Sequence, residues 1–371
     1  MSDSNSSRRS PHQSNPALRL TTLRPLGPWA VPPPGQLLLQ LAPELFVEPV
    51  APFDPALPPE IFVGVPATAN TQRVERQRRA DVGDPDLPAL GSVIEKYRLE
   101  ALLGVGGFAA VFKARHLMLR TQVAIKVPLP SLLRKKPELA EALCREARYA
   151  ARISHPNVVR VLDITSTEEV TYLVMEYIAG GPLSAAIGAV PLPLERLLGV
   201  GLDVAAGLGA GLEQGLIHRD VKPSNIILSD SGAAKLVDFG LAEHSAEARR
   251  SSEGPVLVGT PGYMAPEVIT GQAPDLRSDL YSLGVTLFQV ATGRLPFDNQ
   301  DRKQCLERQC REEAPHPRAI CPALPLRVAE LISWMLRRDP RARPQSHAEL
   351  LQAMRRELSR MGPPSSQRGT P

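Results

Sequence analysis

Proline is the feature that most restricts this chain. A residue with no backbone N–H and a fixed φ ends helices and central strands wherever it recurs. It recurs from the N-terminus through Pro66, in runs such as Val31-Pro32-Pro33-Pro34. Residues 1–90 are therefore expected to be a Pro-rich, disordered tail, with the apolar stretch Leu37–Val50 able to fold on a partner. Residues 359–371 read as a short polar tail. A packed domain has to be built from residues 91–358. At 43% hydrophobic, the 371-residue chain can supply its core.

From Tyr97 the pattern changes. The stretches YRLEALLG, AAVFKARH and TQVAIKVP read as three antiparallel strands around a Gly-rich turn. Leu139, Leu143, Ala147, Ala150 and Ile153 then recur at helical spacing, which predicts an amphipathic helix over Glu138–Ile153. VVRVLDIT and TYLVMEYI read as two more strands. Beyond Gly180 the chain turns mainly helical, beginning with LERLLGVGLDVAAGLGAGLEQ, with IILSD and AAKLVDF as short strands. The expected fold class is α+β: a small antiparallel β-sheet lobe with one helix (about 97–178) and a larger, mainly helical lobe (about 179–358).

Several classes are disfavoured. A net charge of +4 is too small to argue for nucleic acid or an anionic membrane surface. No uncharged apolar run reaches about 18 residues, and the N-terminus lacks the apolar stretch of a secretory signal. Cys144, Cys305, Cys310 and Cys321 form no C-x-x-C pair, which argues for reduced thiols over a zinc site. A soluble, cytoplasmic protein with no nucleic-acid or membrane partner is the expectation.

The chemistry concentrates in short segments. Gly104-x-Gly106 followed by Ala109 is an incomplete dinucleotide fingerprint, and the helix and acid that such a site needs are replaced by the strand VAIKV. The glycines make better sense as a hairpin whose bare amides approach phosphate oxygens. Lys126, inside VAIK, needs an anionic partner if it points inward. Then come His218-Arg219-Asp220-Val221-Lys222-Pro223-Ser224-Asn225, Asp238-Phe239-Gly240 and Ala265-Pro266-Glu267. Phosphoryl transfer needs one carboxylate for the attacking hydroxyl, another for Mg²⁺, an amide oxygen to complete the metal shell, and cations for the phosphoryl charge. Asp220, Asp238, Asn225, Lys222 and Lys126 supply that set.

Over about 260 residues the sequence resembles the eukaryotic-type serine/threonine protein kinases, in particular their bacterial members. The resemblance implies the two-lobed protein kinase fold, with ATP and Mg²⁺ as cofactors and protein Ser/Thr hydroxyls as substrates. It places Gly104, Val105, Gly106, Gly107 and Ala109 over the phosphates, Lys126 on the α- and β-phosphates, and Glu146 as its partner. Val111 and Ala124 fall on the nucleotide site, Met175 guards the adenine pocket, and Glu176 to Ile178 form the hinge. It makes Asp220 the catalytic base, Lys222 the phosphate-neutralising lysine, and Asn225 and Asp238 the metal ligands. Glu267, Arg343 and Asp279 would be architectural. Two departures stand out: Ala109 replaces the third loop glycine, and Gly199, Gly201, Gly207, Gly209 and Gly211 lie in one helix, which they should weaken.

Lys222 and the stretch Gly259–Glu267 resemble the serine/threonine branch rather than the tyrosine branch. A pseudokinase would lack the lysine, the base or the metal aspartate, and all three are present. A small-molecule kinase of related fold would lack the Gly-Thr and Ala-Pro-Glu segments that shape a peptide groove. The segment between Asp238-Phe239-Gly240 and Ala265-Pro266-Glu267 corresponds to the activation loop. Ser251 and Ser252 are its expected regulatory phosphosites, with Thr260 as rival, and a homodimer would let one copy modify the other.

Overall fold

The computed structural model describes residues 86–361, apart from 168–169, 189–191, 240–242, 245–258 and 299–300. Strands β1 (Val93–Ile94), β2 (Tyr97–Val105), β3 (Ala109–His116) and β4 (Gln122–Pro128) are followed by helices α1 (Pro130–Lys135) and α2 (Glu138–Ala150), then β5 (Val161–Ser166) and β6 (Thr171–Glu176). The six strands form one antiparallel sheet in the order β1-β2-β3-β4-β6-β5. The small lobe thus carries two helices where the sequence reading had one. The added α1 is six residues long, opens on Pro130 and buries no side chain fully, so it leaves no apolar period to read. Helix α2 stops at Ala150, short of Ile153, although Ile153 stays buried. Pro156 disfavours helix just before it.

Strand alternation divides β4. Val123, Ile125 and Val127 face one cluster with Tyr97, Leu99, Phe112, Tyr172 and Val174, against which Leu87, Leu90 and Leu132 also pack. Ala124 faces the other, with Leu143 and Ala147 of α2 and Leu173 and Met175 of β6. Lys126, two residues on, shares that second face.

The large lobe continues with β7 (Gly180–Pro182), α3 (Leu194–Glu213), β8 (Leu216–Ile217), β9 (Ile226–Ser229), β10 (Ala234–Leu236) and β11 (Glu243–His244). Helices α4 (Pro266–Ile269), α5 (Leu276–Thr292), α6 (Arg302–Arg311), α7 (Leu326–Met335) and α8 (His347–Met361) follow. Strands β10-β9-β7 form one small sheet, and β11-β8 another. Helix α5 is the lobe's axis. Leu280, Leu283, Val285, Leu287 and Phe288 are all buried, Asp275 caps its start by accepting from Arg277 N, and left-handed Gly293 ends it. Beside it Arg343 donates to both oxygens of Glu267 at 2.7 Å, a buried bidentate pair. Among the described residues no helix is long and apolar enough to cross a membrane.

Three of the five glycines of α3 find their reason in packing. A Cβ on Gly201 would meet Met354 Cε at 2.8 Å, one on Gly207 would meet Asn157 O at 2.9 Å, and one on Gly211 would meet Phe239 Cε1 at 2.9 Å. Around Gly199 nothing lies within 4 Å. The helix gives up propensity so that neighbours can approach its backbone. Opposite signs are therefore expected for two alanine substitutions in one helix. Gly199→Ala should stabilise by up to about 1 kcal/mol through propensity. Gly207→Ala, pressed against a backbone oxygen that has no rotamer to change, should destabilise by about 1–3 kcal/mol. Urea midpoints at unchanged m-value read both, and equal shifts would contradict the packing account.

Candidate active site

Lys126 is the centre of the site. From β4 its Nζ donates to Glu146 Oε1 on α2 at 3.0 Å and to Asp238 Oδ1, just past β10, at 2.9 Å. Burial works against its charge, but the Asp238 and Glu146 carboxylates outweigh burial and hold its pKa above the usual lysine value. Burial also opposes ionisation of Asp238, yet the Lys126 ammonium holds that carboxyl below its usual range. At Glu146 burial prevails and raises the pKa, with Lys126 pulling only partly back. A single ammonium is thus shared between two carboxyl groups.

Asp220 lies on the loop after β8, 8% exposed. Its Oδ1 accepts from Thr260 Oγ1 at 2.6 Å, and its Oδ2 accepts from Asn225 Nδ2 at 3.0 Å and pairs with Lys222 Nζ at 2.7 Å. Lys222 Nζ also donates to Thr260 Oγ1 at 2.6 Å, and Asn225 Nδ2 to the Asp220 carbonyl at 2.9 Å. The loop is braced from α5: Asp279, buried and with its pKa raised by burial, accepts from His218 N at 2.7 Å and Arg219 N at 2.8 Å. Arg219 and Asp238 hold left-handed φ values of 67° and 60°, a cost that non-glycine residues bear only where surroundings enforce it. The His218 ring packs 4.6 Å from that of Phe239, centroid to centroid, with its Nε2 3.1 Å from Val237 O.

The structure therefore brings together Lys126, Glu146, Asp220, Lys222, Asn225, Asp238 and Thr260. Val111, Ala124, Met175 and Ile178 line one apolar cluster with Val237 at the cleft between sheet and large lobe. Glu176 accepts from Lys235 Nζ at 2.8 Å and from Arg160 N at 2.9 Å, a tie the sequence did not suggest. Gly104 and Val105 end β2, Gly106 and Gly107 lie in the turn before β3, and Gly106 N donates to Ala109 O at 2.8 Å. Ala109 has no positive φ, so its methyl group is accommodated. Ser251 and Ser252 lie outside the described residues. Gln309 on α6, which carries no motif, also reaches the segment containing Thr260.

The residues present suit a magnesium-bound nucleotide. Neither Gly104 nor Gly106 has a positive φ, a Cβ on Gly104 would meet nothing within 4 Å, and one on Gly106 would meet Ala109 O at 3.7 Å. Neither conformation nor internal packing demands these glycines; the open space where a side chain would stand leaves room for a bulky anion to approach the backbone. Among the described residues no three His, Cys, Asp or Glu side chains gather as a metal cage. Asp238 with the Asn225 amide oxygen gives the sparse oxygen donor set that Mg²⁺ takes when phosphates and water complete its shell.

Residues 97–354 match the family described as Protein kinase domain. The chain is 38% identical over 262 residues to the DNA damage-responsive serine/threonine-protein kinase RqkA of Deinococcus radiodurans, covering 69% of this chain and 38% of that one. It is 35% identical over 286 residues to the serine/threonine-protein kinase Pkn1 of Myxococcus xanthus (76% and 41%), and 33% over 261 to PknB of Mycobacterium leprae (69% and 42%). The chain belongs to the protein kinase family, and its relatives here are bacterial serine/threonine kinases. It spans about two fifths of the length of these relatives. The family as a whole uses ATP and Mg²⁺.

Lys126→Met tests the electrostatics of the site without any ligand. It leaves Glu146 and Asp238 facing each other without their cation, and both carboxyls then rise above their unfolded values of 4.5 and 3.8. A carboxyl raised on folding is a penalty fully present above its folded pKa and relieved as pH falls toward the unfolded one. The variant should lose about 3 kcal/mol at pH 8, the lower end for a broken buried pair because the Asp238 side chain is 35% exposed. Its gap from wild type should narrow near pH 5, as read by urea denaturation.

Proposed function

We propose that this chain is a serine/threonine protein kinase that transfers the γ-phosphate of ATP to Ser/Thr hydroxyls of proteins. The observation that carries this reading is the placement of Asp220 among Thr260, Lys222 and Asn225, beside the Lys126–Asp238 pair. Asp220 is the base. It orients a substrate hydroxyl and accepts its proton as the oxygen–phosphorus bond forms and the bond to the ADP leaving group breaks. Lys222 neutralises charge on the transferred group, and Lys126, held by Glu146, steadies the α- and β-phosphates. The Gly104–Gly107 segment covers the phosphates, while Val111, Ala124, Met175 and the Glu176–Ile178 hinge receive the adenine. Asn225 and Asp238 would hold Mg²⁺, which would offset phosphate charge when bound. The sharing of one Lys126 ammonium between two carboxyl groups supports this: an anionic nucleotide brought beside those carboxyls needs a further cation with it.

The catalytic unit we propose is residues 91–358, flanked by a Pro-rich segment and a polar tail, acting in the cytoplasm where ATP and protein substrates meet. Purified protein given labelled ATP and Mg²⁺, followed by mass spectrometry of modified residues, tests the activity and the residue class together. Asp220→Asn should keep nucleotide affinity while transfer falls by roughly 10²–10⁴-fold. Asp238→Asn should instead lose Mg²⁺-dependent nucleotide binding, measured by calorimetry with and without the metal. Full turnover in Asp220→Asn would refute the assignment of the base.

We further propose that the kinase autophosphorylates on Ser251 or Ser252, one copy of a homodimer acting on the other. A phosphoserine adds about −1.5 to −2 charges and can make one to three charge-assisted hydrogen bonds. Thr260 ranks second because its hydroxyl is already engaged by Asp220 and Lys222. The Ser251→Ala/Ser252→Ala double variant should lose most of its activity. Full activity with no phosphate found on the segment would refute the switch.

A further inference from the structure

Helix α6 is the most polar of the large lobe's long helices, reading RKQCLERQCR, yet one of its amides is sealed from water. Gln309 is 1% exposed. Its Nε2 donates to Gly262 O at 3.0 Å and to Met264 O at 3.1 Å, and Cys305 Sγ lies 3.8 Å from its Oε1. The carbonyl between those two, Tyr263 O, accepts from Ser282 Oγ of α5 at 2.8 Å, and the Tyr263 hydroxyl donates to Gln289 Oε1 at 2.5 Å. Three successive carbonyls are thus held by side chains from two helices. The segment needs this. It belongs to no helix or strand, Gly262 and Met264 are buried, and buried carbonyls must find donors.

What the clamp holds is the turn that carries Thr260. Tyr263 N donates to Thr260 O at 3.2 Å, and the Thr260 hydroxyl is the group seated on Asp220. The turn also relies on Gly259 and Gly262, at φ 139° and 92°, so its own backbone preferences do not fix it. We propose that Gln309 is a positioning residue for the polypeptide acceptor: it fixes residues 259–264 as the wall beside Asp220 where the incoming hydroxyl must lie. The proposal rests on the kinase reading above and deepens it. Because Gln309 belongs to α6 and touches none of Lys126, Glu146, Asn225 or Asp238, its loss should fall on the acceptor and spare the nucleotide.

Gln309→Met keeps the length of the side chain and removes both donors. With a degenerate Ser/Thr peptide mixture as acceptor, the peptide KM should rise about ten-fold while the ATP KM stays within about two-fold. Ser282→Ala, a milder change that removes the bond to Tyr263 O, should move the peptide KM the same way by about three-fold. Hydrogen exchange of the nucleotide-free protein should quicken at 259–265 in both variants and not around Lys126. Peptide and ATP constants that move together, or an unmoved peptide KM, would overturn the proposal and leave Gln309 a structural amide. If the wild type modified no peptide at all, the kinase reading would fail on its own. The exchange data would still decide whether Gln309 holds the turn, unchanged rates overturning it.

Discussion

The site depends on one ammonium group shared by two carboxylates from separate parts of the chain. Lys126 comes from the sheet, Glu146 from the helix beside it, and Asp238 from the loop that leaves β10. Each alone would be an expensive burial, and together they satisfy one another only when all three elements are in place. The triad therefore works as a test of assembly. It forms if α2 packs on the sheet and if the 237–239 segment takes its left-handed turn at Asp238.

A second arrangement, equally local, sets the other half of the chemistry. Asp279 projects from the first turn of α5, the most deeply buried helix, and receives two successive backbone N–H groups of the loop that carries Asp220. The geometry of Asp220 is thus tied to the core of the large lobe, while Lys126 is tied to the sheet. Ile226 and Leu236 sit in that same core, which brings Asn225 and Val237 to the point where the two systems meet.

Much of this was legible in the sequence. Strand alternation predicted β2, β3, β4 and β6 to within a few residues, because these strands bury one or both faces and their side chains must repeat with period two. The residues gathered around Asp220 and Lys126 were readable because phosphoryl transfer needs particular groups in a particular order. Short elements without a period were not readable. Strand β1 is two residues long, β7 is two glycines and a proline, and α1 buries no side chain fully. Gln309 was invisible for a related reason. Its role comes from backbone carbonyls about 45 residues away, and nothing in RKQCLERQCR distinguishes a clamping glutamine from a solvated one. The glycines of α3 looked like a defect because propensity is local, whereas the atoms that justify them, on Met354, Asn157 and Phe239, arrive from elsewhere.

Those glycines also bear on how the lobe deforms. Contacts between side chains have slack, since a rotamer can absorb a shift of a few tenths of an ångström at modest cost. A side chain resting directly on helix backbone has lost half of that slack. Along α3 this happens at Gly201, against Met354, at Gly207, against Leu236 with the Asn157 carbonyl also close, and near the C-terminal end at Gly211, against Phe239. The helix thus behaves as a stiff strut with three bearings, one of them under the residue that follows Asp238. A load applied at α8 has little to compress before it reaches Phe239 and the turn that carries Asp238.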